Sequence, residues 1–588
     1  MSKANRGNRV KRNEHFFLKP PNRSVTPIGE ESAITNDLLK RALQYHRAGH
    51  LVEAQQIYRD ILTVDPNHED SLHLLGMMAF HAGDPQKAIV MVQAAIAINP
   101  TTAAYHSNLG TIFHSQNKLE EAACCYQNAL ALKPALAEAH YNLGNVFHAQ
   151  DKLEDAIACY EQALALNPGL AEAHYNLGNT LRSQEKFDEA IGCFKRSLAI
   201  DHGKYEALHN WGNVLQAQGK LEEAMVFYER VLHVHPGYAK AHYSVGCALQ
   251  AFGKPAEAID CYRRARALQP DFAQAAFSES LVQLLQGEYA EGWQNFDWRW
   301  RTKDHNTPMR NYLQPLWRGA KLSSGPVLIW GEQGIGDEIM FAGLIPDAMR
   351  TGNKLILDCA PRLQSLFARS FPEVTVIVRP SREQGQAAEP AFAAHLPSGS
   401  LPGLFRATKA AFAATTSPYL VADPDARERF RYRYADPSGK RLAGIAWHTN
   451  SRNSARNRSI DLAVFASLFA MPQYHWVSLQ YGDHGTLEKQ ALEAGSPILV
   501  DRSVDQLSDI DLFAAQIAAM DVVVTIDNST AHLAAALGIP TFVLLPFAAD
   551  WRWLQVREDS PWYPTARLFR QDKRGDWQSV ADKVRSLL

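Results

Sequence analysis

The chain has 588 residues, enough for about three or four domains, each with its own core. Its 60 basic and 62 acidic residues leave a net charge of −2, so no overall charge draws it to nucleic acid or to an anionic membrane. Seven cysteines without a C-x-x-C pair, and no long uncharged apolar run, argue against a disulfide framework, a metal cluster or a membrane span; a reducing cytoplasm is the expected location.

The first stretch, 1–34, carries Lys3, Arg6, Arg9, Lys11, Arg12, Lys19 and Arg23 without the apolar core of a signal peptide, and reads as a disordered basic arm. A regular grid follows. Pro66, Pro100, Pro134, Pro168, Pro236 and Pro270 stand at multiples of 34 residues, with His202 filling the gap. Gly76, Gly110, Gly144, Gly178, Gly212 and Gly246 keep the same period, as do seven alanines from Ala54 to Ala258 and the aromatics Tyr58, Tyr126, Tyr160, Phe194, Tyr228 and Tyr262. Small residues where two antiparallel helices touch, an aromatic in the next gap and a closing proline resemble the tetratricopeptide repeat. Seven such repeats and an eroded eighth, with Ser280 and Gly292 in place of glycine and alanine, are expected over 35–306. Asn108, Asn142, Asn176 and Asn210 recur on the first helix of successive pairs, with Asn145, Asn179 and Asn213 three residues on. Their amides suit a bound peptide backbone, although a shared consensus residue explains the recurrence equally well. Trp293, Trp298, Trp300 and Trp317 then crowd the end of the repeats, where they read as packing against the next domain.

After Gly325 the texture becomes alternating α/β. Strands are expected at 326–330, 354–358 and 374–378 and, beyond a poorly patterned stretch, at 442–448, 475–480, 497–501, 521–527 and 541–546. Two parallel-sheet lobes of Rossmann type follow from this, over 307–435 and 436–588, with their chemistry beyond the carboxyl ends of the strands.

Three motifs stand at such ends. "GEQGIGDE" (331–338) has the glycines of a phosphate loop, Gly331 and Gly336, but places Asp337 and Glu338 where lysine and a hydroxyl would stand, and a helix is expected to begin near them. "WHTNSRNSARNRS" (447–459) concentrates Arg452, Arg456 and Arg458, which match the charge of a diphosphate. "TIDNSTAH" (525–532) ends a strand at Asp527 and opens a helix with Asn528, Ser529 and Thr530, whose N–H groups suit an anion, with His532 one turn on.

Together, and in this order, the three motifs resemble the heptosyltransferase-type glycosyltransferases of the GT-B fold, and the whole chain resembles bacterial tetratricopeptide–glycosyltransferase fusions. The layout is also similar to that of O-GlcNAc transferases, whose asparagine ladder holds the acceptor polypeptide. The resemblance implies an inverting transfer from a nucleotide-diphosphate sugar to an acceptor hydroxyl, without metal or other cofactor. Asp337 would be the general base, with Gly334, Gly336 and Glu338 on the acceptor side. Arg456, Arg458, Asp527, Asn528, Ser529, Thr530 and His532 would hold the donor, and Asn108, Asn142, Asn176 and Asn210 a protein or peptide acceptor. The chain departs from the family pattern at Asn528, where threonine is usual, and at Ala455, where the fusions carry an acid. Two other readings are a repeat scaffold whose α/β part no longer turns over, and a transferase acting on a surface polysaccharide or lipid-linked sugar.

Overall fold

The computed structural model describes residues 28–302, 305, 307–332, 334–379, 390–449, 458–495 and 498–588. The chain falls into two compact units, one ending at Val214 and the next beginning at Leu215, within the helix Tyr205–Ala217. Of the expected basic arm, 1–27 lies outside the described residues, and 28–34 belongs to the first helix.

Sixteen helices precede the first strand, from α1 (Ile28–Arg47) to α16 (Tyr289–Phe296). Within each unit successive helices pack in pairs, and the 34-residue grid explains their packing. A Cβ on Gly144 would stand 2.7 Å from the Tyr160 ring, and one on Gly178 2.7 Å from Phe194. The glycine therefore lets the aromatic of the second helix lie against the backbone of the first. In the last pair the small residue moves to the second helix, where a Cβ on Gly292 would meet Leu284 at 2.6 Å.

Two parallel sheets follow in the second unit. The first has the order β3-β2-β1-β4, with β1 Val327–Trp330, β2 Leu355–Cys359, β3 Thr375–Val378 and β4 Ala394–Pro397. The second runs β6-β5-β7-β8-β9, with β5 Arg441–Ala446, β6 Tyr474–Ser478, β7 Val522–Ile526, β8 Thr541–Leu545 and β9 Ala566–Arg570. Strand order reverses at β1 in one sheet and at β5 and β7 in the other, and crevices open at such points. Two expectations fail here. The strand expected at 497–501 is reduced to one bridge between Leu499 and Val477. Both β4, "AHLP", and β9, "ARLFR", escape a reading by hydropathy because histidine, proline and arginine interrupt them. In β4 the polar ring is satisfied internally: Trp330 Nε1 donates to His395 Nδ1 at 3.2 Å.

The tryptophans after the repeats pack as expected. Trp293 and Trp317 are buried in the core that also holds β1 and Trp551. The indole of Trp293 donates to the Arg406 carbonyl at 3.1 Å and lies edge-on to Trp551. Beside it Arg299 and Glu332, both without exposed surface, form a bidentate pair at 2.9 Å. Glu332 also accepts the Gly399 N–H at 2.8 Å. The first acid of "GEQGIGDE" thus ties the glycine turn to the end of the helical array.

Candidate functional site

Helix α17 (Ile335–Ala342) leaves β1, and helix α18 (Ser529–Ala536) leaves β7. α17 starts at Ile335 rather than near Asp337, with Gly334 as its cap, so Asp337 sits inside the first turn, where its Oδ2 faces the Gly334 N–H at 3.4 Å. The two helix N-termini meet directly. A Cβ on Gly336 would lie 3.1 Å from His532 Cδ2 and 3.8 Å from the Ser529 Cα, so glycine is what permits the approach.

Between the two N-termini runs a chain of alternating charge. Asp337 Oδ1 accepts from Arg552 Nε at 3.0 Å and also from its Nη2. Arg552 Nη1 donates to Asp550 Oδ1 at 2.6 Å. Asp550 Oδ2 lies 3.4 Å from Arg458 Nη2, and Arg458 Nη1 lies 3.0 Å from Asp527 Oδ2, an ion pair without hydrogen-bond geometry. Asp527 Oδ1 accepts the Trp553 indole N–H at 2.8 Å. Burial pushes the Asp527 carboxyl up despite Arg458, whereas the two arginines outweigh burial at Asp550 and hold it down.

At the start of α18 Asn528 is the cap: its Oδ1 accepts from the Ala531 N–H at 3.2 Å and from the Thr525 hydroxyl at 3.1 Å. Its Nδ2 and the Thr530 hydroxyl are buried with no hydrogen-bond partner among the described residues. Ser529, half-buried, opens the helix between them. His532 is buried with its Nδ1 2.8 Å from the Tyr563 hydroxyl and its ring stacked on Trp553. Burial first, and Arg552 next, hold this imidazole down to about 3, so it is neutral near pH 7.

Glu338, expected on the acceptor side, points elsewhere. It is buried, accepting from Arg379 Nη2 at 2.8 Å and from the Ala360 N–H at 3.0 Å, and so braces the loop after β2. Arg452 and Arg456 lie outside the described residues; Arg458 is the member of that loop which the structure places. Asp550 and Arg552 were not anticipated, although "DWRW" directly after β8 puts an acid and a base at the edge where Asp527 ends β7. A separate cleft of about 570 Å³ opens at the carboxyl ends of β5 and β6, lined by Trp447, His448, Gln480, Tyr481 and Asp483 among others, and by none of the residues of the charge chain.

The asparagines of the helical pairs are largely occupied by one another. Asn176 Nδ2 donates to Asn145 Oδ1 at 2.9 Å and to the Tyr141 hydroxyl at 3.2 Å. Asn210 Nδ2 repeats the pattern with Asn179 at 2.7 Å and Tyr175 at 3.1 Å. Asn108 Nδ2 lies 2.8 Å from His73 Nε2. Asn142, half-buried, makes no side-chain hydrogen bond among the described residues.

Family profiles described as TPR repeat and Tetratricopeptide repeat match residues 110–151, 144–184, 171–204 and 203–271. The helical pairs over 110–271 are tetratricopeptide repeats. Protein FlbA of Caulobacter vibrioides is 29% identical over 325 residues, which cover 53% of this chain and 54% of FlbA; the chain thus spans about half the length of that curated relative. Among solved structures, YrrB, described as a TPR protein with an unusual peptide-binding site, is 28% identical over 32% of this chain and 98% of its own, with a TM-score of 0.28. MamA is 27% identical over 28% of this chain and 96% of its own, with a TM-score of 0.26. No helix of the described tetratricopeptide or α/β residues is long and apolar enough to cross a membrane.

Proposed function

We propose that the chain is an inverting glycosyltransferase, its two sheets forming the lobes of a GT-B-type unit that uses a nucleotide-diphosphate sugar. The observation that carries this reading is the start of α18, where a helix N-terminus, the unpartnered Asn528 amide and the unpartnered Thr530 hydroxyl are buried together near Arg458. Buried donors without partners cost about 1–3 kcal/mol each, and a bound anion would satisfy them. The cleft after β5 and β6, which begins two residues beyond Arg458 at Ile460, has room for a nucleoside. Opposite stands Asp337, the acid that a phosphate loop would not carry.

In the step this implies, the acceptor hydroxyl oxygen forms a bond to the anomeric carbon while its proton passes to an Asp337 oxygen. The bond from that carbon to the phosphate oxygen breaks, and its electron pair leaves with the diphosphate. Arg458 and the first-turn N–H groups of α18 take up the developing charge. Base and leaving-group site on opposite sheets give displacement with inversion. The repeats would present a polypeptide acceptor; half-buried Asn142 keeps its amide uncommitted, whereas the other three ladder members would have to exchange partners.

Thermal unfolding of the full chain against nucleoside diphosphates and nucleotide sugars tests the donor site. A ligand at ~100 times its dissociation constant adds about 2.7 kcal/mol. Asp337→Asn is then expected to bind the same nucleotide while transfer slows by about 10² to 10⁴-fold. A repeat scaffold without turnover is the second reading, favoured by the Arg552 guanidinium held on Asp337. No stabilisation by any nucleotide decides for it.

A further inference from the structure

The charge chain between the helix N-termini presents a problem for the reaction just described. The Asp337 Oδ1 is occupied by two N–H groups of one guanidinium, which an incoming acceptor hydroxyl would have to displace to reach that atom. Arg458 is likewise held by Asp527 and Asp550, so three acids share two arginines and the described part of the site has no spare positive charge for a diphosphate.

Both difficulties have one solution. Arg552 lies at the carboxyl edge of the second sheet, on the loop that follows β8, and its Nη1 shares Asp550 with Arg458. Its ring neighbour Trp551, 4.6 Å from the guanidinium carbon, keeps the side chain extended across to α17. The α18 N-terminus, where the unpartnered donors stand, touches the α17 turn that carries Asp337. A diphosphate seated there would lie at the same junction as the Arg552 guanidinium and offer it more negative charge than one carboxylate does.

We propose that Arg552 is a donor-operated positioning residue: it pairs with Asp337 in the empty protein, transfers to the donor's diphosphate on binding, and thereby releases Asp337 to act as base. This rests on the nucleotide-sugar reading of the cleft. Its consequence is a fixed order, donor before acceptor, since the base becomes competent only once the leaving group is in place. The exchange also supplies the positive charge that the diphosphate needs from inside the site.

The test is a double-variant cycle on the full chain, with inorganic pyrophosphate and nucleoside diphosphates as calorimetric probes. Asp337 and the diphosphate compete for Arg552, so Asp337→Asn is expected to tighten diphosphate binding about tenfold. Arg552→Gln is expected to weaken it by at least as much, and Asp337→Asn added to Arg552→Gln to change nothing further. Arg552→Lys, which keeps the charge but cannot hold Asp337 and Asp550 with one planar fork, serves as a second background in case Arg552→Gln fails to fold; there the gain from Asp337→Asn shrinks. Equal tightening by Asp337→Asn whatever stands at 552 would be plain charge removal and would overturn the exchange. So would binding that Asp337→Asn leaves unchanged. Absence of diphosphate binding by both the wild type and Asp337→Asn would overturn the exchange together with the nucleotide-sugar reading, whereas the first two outcomes leave that reading standing.

Discussion

In the tetratricopeptide repeats the Asn176 amide finds the Tyr141 hydroxyl 35 positions back along the chain; between the two sheets Arg552 finds Asp337 215 positions back. The first distance is the repeat period plus one, and it recurs for Asn210 and Tyr175. The second occurs once. Periodic partners supply one another here: the Asn176 and Asn210 amides are each satisfied by the preceding repeat. Partners drawn from separate loops leave a balance: three acids against two arginines, and two buried groups of α18 without a mate. The two ladder amides are satisfied by a rule that the repeat supplies, while the groups between the sheets follow no such rule.

The largest test of this contrast lies where the helical array meets the first sheet. Arg299→Leu leaves the buried Glu332 with the Gly399 N–H and His305, 3.5 Å away, in place of its guanidinium, and removal of one partner from such a pair costs about 3–5 kcal/mol. Chemical denaturation of the second unit within the full chain reads this loss. Restoring much of it with Arg299→Leu/Glu332→Leu would show that the pair holds the glycine turn in place rather than adding stability. A double variant as unstable as the single would mean that the surrounding loop needs the charges themselves.

Next comes the glycine grid. Gly178→Ala is expected to destabilise the first unit by about 1–3 kcal/mol, because the buried Phe194 ring cannot move aside. Helix propensity runs the other way by ~1 kcal/mol, so a stabilised protein in thermal melts would show that the array can open to admit a methyl group.

These two cases also show what could be read from the sequence. The repeats were legible down to their small residues because each landmark is sampled many times in one chain. The strands after Gly325 were legible where apolar runs were unbroken, except at 497–501, and β4 and β9 were not, because their polar residues find partners that only the folded sheet reveals. At the site, Asp527 and Asn528 announced themselves as polar residues directly after an apolar strand, and Asp337 as an acid in a glycine turn. Arg552 and Asp550 did not, because nothing local distinguishes an arginine that crosses to another sheet from one that faces water. Glu338 was read as a neighbour of Asp337 in function as well as in sequence. One helical position, ~100° of rotation, turns it instead toward Arg379.

Acid should separate the regions by smaller amounts. His532 is held down to about 3, against an ordinary value near 6.5, so between these limits the unfolded chain takes up a proton that the folded chain refuses. Stability therefore falls as pH falls through that window, by about 1.4 kcal/mol per unit from this residue alone. Asp527, pushed up by burial, contributes the opposite sign. His73 in the repeats, held down to about 4 by burial, acts as His532 does over a shorter window. Melts of His532→Phe and His73→Phe between pH 7 and 4.5 should each show a shallower loss than the wild type, in the second and first unit respectively. Parallel curves for wild type and variant would mean that these rings take up protons on the folded protein.

The smallest effect belongs to the asparagines, and it discriminates between their two readings within one ladder. Asn142 and Asn176 occupy the same position in adjacent repeats, yet Asn176 donates to both Asn145 and Tyr141 while Asn142 makes no such bond among the described residues. Asn176→Ala removes contacts worth about 0.5–1.5 kcal/mol, offset by ~0.7 kcal/mol from the better helix former. Asn145 keeps one donor, the Tyr160 hydroxyl at 2.8 Å, and the half-buried Tyr141 hydroxyl, which loses the Asn176 amide, is left to water. The net loss should therefore be small, and Asn142→Ala should be neutral or slightly stabilising. Amide hydrogen exchange over 137–183 in the full chain resolves differences of this size repeat by repeat. If the ladder serves a peptide acceptor, the order inverts in a transfer assay. Asn142, whose amide is uncommitted, should then matter for a long polypeptide acceptor, and neither substitution should matter for a short one. Asn142→Ala without effect on either acceptor, beside a measurable loss of protection for Asn176→Ala, would make the ladder an inter-repeat brace and leave acceptor capture to another surface.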